Sequence, residues 1–290
     1  MQNIGCSAKL KSKRCVGLTM GWFGVKDPET VMKQAMVHMA KNQPKKAVGL
    51  FDQVLKHDGH NEDVLCQKSL ALLQLRKFSD VITCSDAILK KNPKSPQAHN
   101  NKGKALGELG DIAAAVQCYD DAIRSDSKYY ESYFNKGVLL ARLHDHEAAL
   151  ELMQKAVKLN RKNPVPLLHE GIILGKMHRH KEALSVLKSI ERRFGYHPDV
   201  TFQIGIQTAE LGKHAQALKI FEDISGHGNN VNILYALARS RAALEEYSAA
   251  MDLLKKAVAK SPKVIREWAR EEDAFKPLHH NERFRKLVKM

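Results

Sequence analysis

Pro96-Gln-Ala-His-Asn-Asn-Lys-Gly103, continued by Ala115-Val-Gln-Cys-Tyr119-Asp-Asp-Ala122-Ile123, is written a second time further along the chain. The second version runs Tyr130-Glu-Ser-Tyr-Phe-Asn-Lys-Gly137, then Ala149-Leu-Glu-Leu-Met153-Gln-Lys-Ala156-Val157. Gly103 and Gly137, Ala115 and Ala149, and Ala122 and Ala156 each stand 34 residues apart. A fixed period of about 20 to 50 residues marks stacked units, none of which can bury its apolar face alone. Two ordinary globular domains, which a length of 290 would allow, are thereby excluded.

Counting outward in steps of 34 places unit starts at Pro28, Glu62, Pro96, Tyr130, Pro164 and Pro198, with a seventh at Val231, one residue early. The expected units are 28–61, 62–95, 96–129, 130–163, 164–197, 198–230 and 231–264. Each reads as two helices of about a dozen residues joined by a short polar turn. In the unit at Tyr130, the residues Tyr133, Lys136, Gly137 and Leu140 share one helical face. Gly103, Gly137, Gly171, Gly205 and Ala238 let the two helices of a unit approach closely, answered by Ala47, Ala115, Ala149, Ala183, Ala217 and Ala250 on the second helix. A leucine at any of these would overpack the contact by about 1–3 kcal/mol.

The bulk numbers agree with a folded chain: 43% hydrophobic and 27% charged residues. Five cysteines (Cys6, Cys15, Cys66, Cys84, Cys118) form no CxxC pair, and their odd number suits a reducing compartment, so a cytoplasmic location is expected. The net charge of +15 is unevenly spread: residues 1–26 carry +5, residues 255–290 carry +6, and 27–254 only +4. Residues 1–27 fall outside the repeat and read as a basic, disordered leader. A start at Met20 is the competing reading, and no small-x-small cleavage site follows the apolar run Cys15–Val25. No apolar run approaches the roughly 20 residues that span a membrane.

The unit pattern is a large residue, Gly or Ala four later, a bulky residue three beyond, then Ala-x3-aromatic and a late proline. It stands as Tyr133, Gly137, Leu140, Ala149 and Met153, and as Leu234, Ala238, Arg241, Ala250, Leu254 and Pro262. Phe51, Tyr119 and Phe221 supply the aromatic in their units. This resembles the tetratricopeptide repeat, over residues 28–264. Departures are Arg241 at the bulky site, Lys102 and Lys136 where leucine is usual, and Ile224 in a shortened sixth unit. The resemblance implies an all-α, right-handed α-solenoid of about seven helix-turn-helix units. Residues 265–290 then form a C-terminal helical cap, with Ile265, Trp268 and Ala269 on one face and Phe284, Leu287 and Val288 following.

The resemblance also implies a concave groove lined by the first helices. The residues expected to face it include Gln67, Asn101, Asn135, His169 and Gln203, which could hold the backbone of an extended peptide through paired donors and acceptors. Phe134, Val138, Leu168, Ile172, Phe202, Ile206 and Tyr235 would form an apolar floor. The competing reading packs all of these between neighbouring first helices. The Lys-Asn clamp of chaperone-binding relatives is incomplete, since the first unit offers Met32 and Met36 and the fourth Glu131.

His144, His146, His178, His180 and His214 fall in the turns of three successive units. A His-x-His pair can bind metal, but nothing nearby completes a coordination set, so semi-buried filler is the favoured reading and no metal or other cofactor is expected. No Walker loop, HExxH, GxSxG or dinucleotide turn occurs, so no enzyme is expected. The expected function is a protein–protein interaction scaffold holding a partner's peptide segment in the groove. The alternative is a helical-repeat RNA binder using the basic termini, disfavoured by the near-neutral array. A homo-oligomer docking its own end into a neighbour's groove is a third reading.

Overall fold

The computed structural model describes residues 27–226 and 230–290. The expectations about residues 1–26 of the leader, Met20, Cys6 and Cys15 lie outside the described residues, whereas Asp27, expected to end a disordered leader, is ordered as the N-cap of α1. Every regular element among the described residues is helical. Seven helix pairs follow in order: α1 (Pro28–Ala40) with α2 (Pro44–Leu55), α3 (Glu62–Gln74) with α4 (Phe78–Lys91), α5 (Pro96–Leu109) with α6 (Ile112–Ser125), and α7 (Tyr130–Arg142) with α8 (His146–Leu159). Then come α9 (Pro164–Lys176) with α10 (His180–Phe194), α11 (Pro198–Glu210) with α12 (His214–Ser225), and α13 (Val231–Ala243) with α14 (Tyr247–Lys260). The chain ends with α15 (Pro262–Glu271), a 3-10 turn at Asp273–Leu278, and α16 (Glu282–Val288). It is an all-α helical-repeat solenoid in which each helix packs mainly on its neighbours in sequence.

Local chemistry sets the helix ends. Asp27 caps α1, accepting from the backbone N–H groups of Glu29 and Thr30 at 3.2 and 3.0 Å. Asn61, Ser95, Asp111, Asp145 and Asn163 cap later helices in the same way, each satisfying an otherwise orphaned donor. The fifteenth residue of every unit is left-handed: Asn42, Arg76, Gly110, His144, His178, Gly212 and Glu245, with φ from 54° to 89°. Only two are glycines, so the others hold a conformation that disfavours a Cβ. Glu245→Gly is expected to raise stability by about 1 kcal/mol, read as a higher urea midpoint with an unchanged slope.

The close approach of paired helices follows from a small residue facing a large one. A Cβ on Gly103 would lie 2.9 Å from Tyr119, on Gly137 2.9 Å from Met153, on Gly171 2.8 Å from Leu187, and on Gly205 2.4 Å from Phe221. Each pair is 16 residues apart, and Ala35 with Phe51 and Ala238 with Leu254 occupy the same positions, all buried. The second unit departs, with Ser69 and Ser85 there.

The lysines that stand where leucine is usual also find their reason here. Lys68 reaches Asp52 at 2.7 Å, Lys102 reaches Asp86 at 2.6 Å, and Lys136 reaches Asp120 at 2.6 Å. Each pair ties a first helix to the second helix of the preceding unit. Their stems lie along the seam while the ammonium meets a partly exposed carboxylate, so each contributes at most about 1 kcal/mol. At Glu170 the series changes sign, and Gln154 donates to its carboxylate at 3.3 Å.

At the C-terminal end, Ile265, Ala269, Phe275, Leu278, Phe284 and Val288 pack on Ala250, Leu254 and Val258 in one buried cluster. Arg266 and Arg270 donate through Nε to the carbonyls of Leu287 and Val288, both at 2.9 Å, closing the end of α16. A stack of this kind needs such a closing layer, since its last apolar surface has no following unit.

Candidate functional site

The first helices of successive units pack side by side, α3 on α5, α5 on α7, α7 on α9, α9 on α11 and α11 on α13. They form the inner layer, and its accessible face is the candidate site. Gln67, Asn135, His169 and Gln203 are half-buried on that layer, as are Phe134, Val138, Leu168, Ile172, Phe202, Ile206 and Tyr235.

Asn101 does not share this setting. It is only 4% exposed, as is Asn100 beside it. Asn100 Oδ1 instead accepts across the helix seam from Asn135 Nδ2 at 2.8 Å, which leaves Asn135 its second N–H and its carbonyl oxygen. The row of hydrogen-bonding groups expected along the wall is therefore interrupted at Asn101, which is buried within the stack. Burial lowers the pKa of His169, whose ring stands edge-on to Phe134 at 5.0 Å. Burial also pushes the Lys104 ammonium down and the Glu131 carboxyl up.

Toward the C-terminal end the wall opens into a cavity of about 310 Å³. Phe202, Ile206 and Tyr235 line it, together with Asn232, Arg239 and Trp268. Phe202 rests on buried Phe221 at 5.7 Å between ring centres, and Tyr235 lies against Trp268 at 5.4 Å and Phe275 at 6.1 Å. The floor is thus held from behind by core aromatics. Arg239 pairs with Glu210 and Glu272, so the cavity's one cation is neutralised by the wall itself.

Trp268 is the residue that sequence reasoning misplaced. Spacing grouped it with Ile265 and Ala269 on one buried face, and those two are 1% and 0% exposed. Trp268 is 43% exposed and turns toward the groove. A three-residue step on a helix is about 300°, so it lies at the edge of the stripe, and only the neighbouring α13 decides which way it faces. Arg239 could have been found: it holds the unit position of Val138, Ile172 and Ile206.

The turn histidines stay local. His144 and His146, and His178 and His180, meet edge-to-face at 5.7 Å between ring centres. His180 Nδ1 lies 2.9 Å from Gln207 Oε1, and His146 Nδ1 is buried without a hydrogen-bond partner. Among the described residues no three His, Cys, Asp or Glu side chains converge as metal ligands would. Burial pushes the Cys66 thiol up to about 12 and raises Cys84 and Cys118, so these sulfurs stay protonated and pack as apolar groups. No helix among the described residues is long and apolar enough to cross a membrane.

A stack of helix pairs with small-against-large contacts and an open inner wall defines a class of α-solenoid. Residues 100–164 match the family model for the tetratricopeptide repeat. Solved structures agree on the fold. A tetratricopeptide repeat protein from Parabacteroides merdae superposes with a TM-score of 0.62 at 16% identity, over 91% of this chain and 99% of that one. YrrB, a tetratricopeptide-repeat protein with an unusual peptide-binding site, gives 0.51 at 21% identity, over 64% of this chain and 97% of its own. PilF from Pseudomonas aeruginosa gives 0.62 at 18% identity, over 72% and 97%. No curated protein sequence matches the chain.

Proposed function

We propose that this protein is a non-catalytic interaction scaffold that holds a segment of a partner protein along its inner wall. The observation that carries the reading is the aromatic cavity of about 310 Å³ bounded by Phe202, Ile206, Tyr235 and Trp268. A concave, mostly apolar space with a few polar groups at its rim is the usual form of a recognition site. Its size suits one bulky side chain of a bound segment, while Gln203 and Asn135 supply amides for the backbone. Apolar Phe134, Val138, Leu168 and Ile172 continue the floor toward the middle units. Asn101 contributes little, given its burial. Support also comes from the fold class, which serves protein association, and from the peptide-binding site attributed to YrrB. The cytoplasm is the proposed compartment, on the strength of unpaired, protonated thiols.

The test is selection of peptides from a random library on the full-length protein, followed by anisotropy titration of the winners. Trp268→Ala is expected to weaken their binding at least tenfold, a typical anchor effect of about 1.4 kcal/mol or more, with an unchanged melting temperature. Winners that bind the variant equally well would place recognition elsewhere.

A further inference from the structure

The charge of the array is nearly balanced in sum but segregated in space. Helix pairs alternate direction, so all inter-unit loops lie along one edge of the rod. The five segments 56–61, 90–95, 124–129, 158–163 and 192–197 carry eleven Lys and Arg against Asp58 and Asp126, or +9, whereas residues 27–254 as a whole carry +4. The remainder of the array is therefore net acidic. Counting charge by stretch of sequence concealed this, because the cations are dispersed along the chain and gathered only by stacking.

Two rows recur at the repeat spacing. Lys56, Lys90, Arg124, Lys158 and Arg192 stand at one unit position, and His60, Lys94, Lys128 and Lys162 four residues beyond the first four of them. All are exposed. Cations in a last helical turn also complement the helix dipole, which accounts for most of the first row. It does not account for Lys94, Lys128 and Lys162, which stand two residues past the helix caps Asn92, Asp126 and Asn160. The same turn presents each one: their backbone N–H groups donate to the side-chain oxygens of Asn92, Asp126 and Asn160 at 3.3, 2.8 and 3.2 Å. His60 is held likewise by Asp58 at 3.3 Å. Of the eleven cations, only Arg124 has a carboxylate within 4 Å, whereas Lys68, Lys102 and Lys136 on the array's flank are all paired.

In the fifth unit the second row continues as Tyr196, 59% exposed, with Phe194 exposed two residues before it. Arg193 donates to the Arg161 carbonyl at 2.8 Å, binding this loop to the preceding basic one. A narrow line of cations, all but Arg124 without a carboxylate partner, that leads to the exposed ring of Tyr196 and to Phe194 under the Arg193 guanidinium fits a flexible polyanion whose units also carry flat faces.

We propose that this edge is a docking surface for single-stranded nucleic acid, with phosphates on Lys90, Lys94, Lys128, Lys158 and Lys162 and a base against Tyr196. The site is separate from the peptide groove and stands without it. An acidic peptide would match the cations but leave the aromatics unused, and a membrane would present a sheet of headgroups to a line one unit wide.

The test is anisotropy of the full-length protein with a labelled single-stranded RNA of about 20 nucleotides between 50 and 200 mM salt. Contacts to about five phosphates predict a slope of log K on log salt near −3.5, about −0.7 per contact. The triple variant Lys94→Glu, Lys128→Glu, Lys162→Glu is expected to bind at least tenfold more weakly with a slope shallower by about 2. Tyr196→Ala is expected to lose about 5- to 150-fold, the range for one stacked base. Circular dichroism should be unchanged in both variants, since the replaced side chains are exposed. Trp268→Ala should leave RNA affinity intact. Absence of RNA binding at 50 mM salt overturns the proposal. So does binding undiminished by the triple variant, which would assign it to residues 1–26 or 255–290. Equal affinity for polyglutamate or for phosphatidylserine vesicles, insensitive to Tyr196→Ala, overturns it as well.

Discussion

Phe284→Ala should remove about 3–5 kcal/mol, the usual range for deleting a fully buried phenylalanine. Phe284 is 0% exposed, its ring lies 5.9 Å from Phe275 and is stacked on His279 at 5.6 Å. It is the residue through which α16 closes the apolar end formed by Leu254, Val258 and Ile265. Because each unit contacts only its neighbours, the loss should not spread evenly. Amides of α13 and α14 are expected to lose hydrogen-exchange protection first, with those of α5 to α8 nearly unaffected. Uniform loss along the whole chain would mean that the rod unfolds as one body and that the end layer is not a separate cap. Trp268→Ala, on the same terminal segment but 43% exposed, is the matched control and should barely change stability.

Gly205→Ala is expected to destabilise by about 1–3 kcal/mol, although alanine exceeds glycine by about 1 kcal/mol in an unconstrained helix. The new Cβ would sit 2.4 Å from Phe221 Cε1 and 2.9 Å from Cδ1, and Phe221 is fully buried and held by its neighbours. Gly49, inside α2 with nothing within 4 Å of an added Cβ, provides the opposite sign: Gly49→Ala should gain about 0.5–1 kcal/mol. Combining Gly205→Ala with Phe221→Leu should recover part of the loss beyond additivity, since the two residues share one contact. Urea titrations of the wild type and the four variants (Gly205→Ala, Gly49→Ala, Phe221→Leu and the Gly205→Ala, Phe221→Leu double) measure all of this. A neutral Gly205→Ala would show that α11 and α12 can separate at little cost, and that this pair does not set the helix spacing.

Much of this was legible in the residues. The 34-residue period, the helix pairs, the small residues at Gly103, Gly137, Gly171 and Gly205, and the need for a closing segment all follow from spacing and side-chain size. Which side chains face the groove depends on the neighbouring helices as well. Position within a unit brought Phe202, Ile206 and Tyr235 to one cavity, but Asn101 proved buried and Trp268 proved open. The Lys–Asp pairs between units also have a signal in the sequence, since Asp52, Asp86 and Asp120 recur at the same period as Lys68, Lys102 and Lys136. The basic edge is hidden for a different reason: net charge by segment says nothing of which ends of the helices come to lie together.

The amino-acid order alone determined that this chain is a stack of helix pairs, because period, turn chemistry and residue volume act within a unit or between adjacent ones. Tertiary structure decided which residues at the margin of an apolar stripe reach solvent and where dispersed charges converge. Those outcomes depend on how far a neighbouring helix covers each position, and on unit ends more than 30 residues apart in sequence becoming neighbours in space. Neither quantity is a property of a single helix.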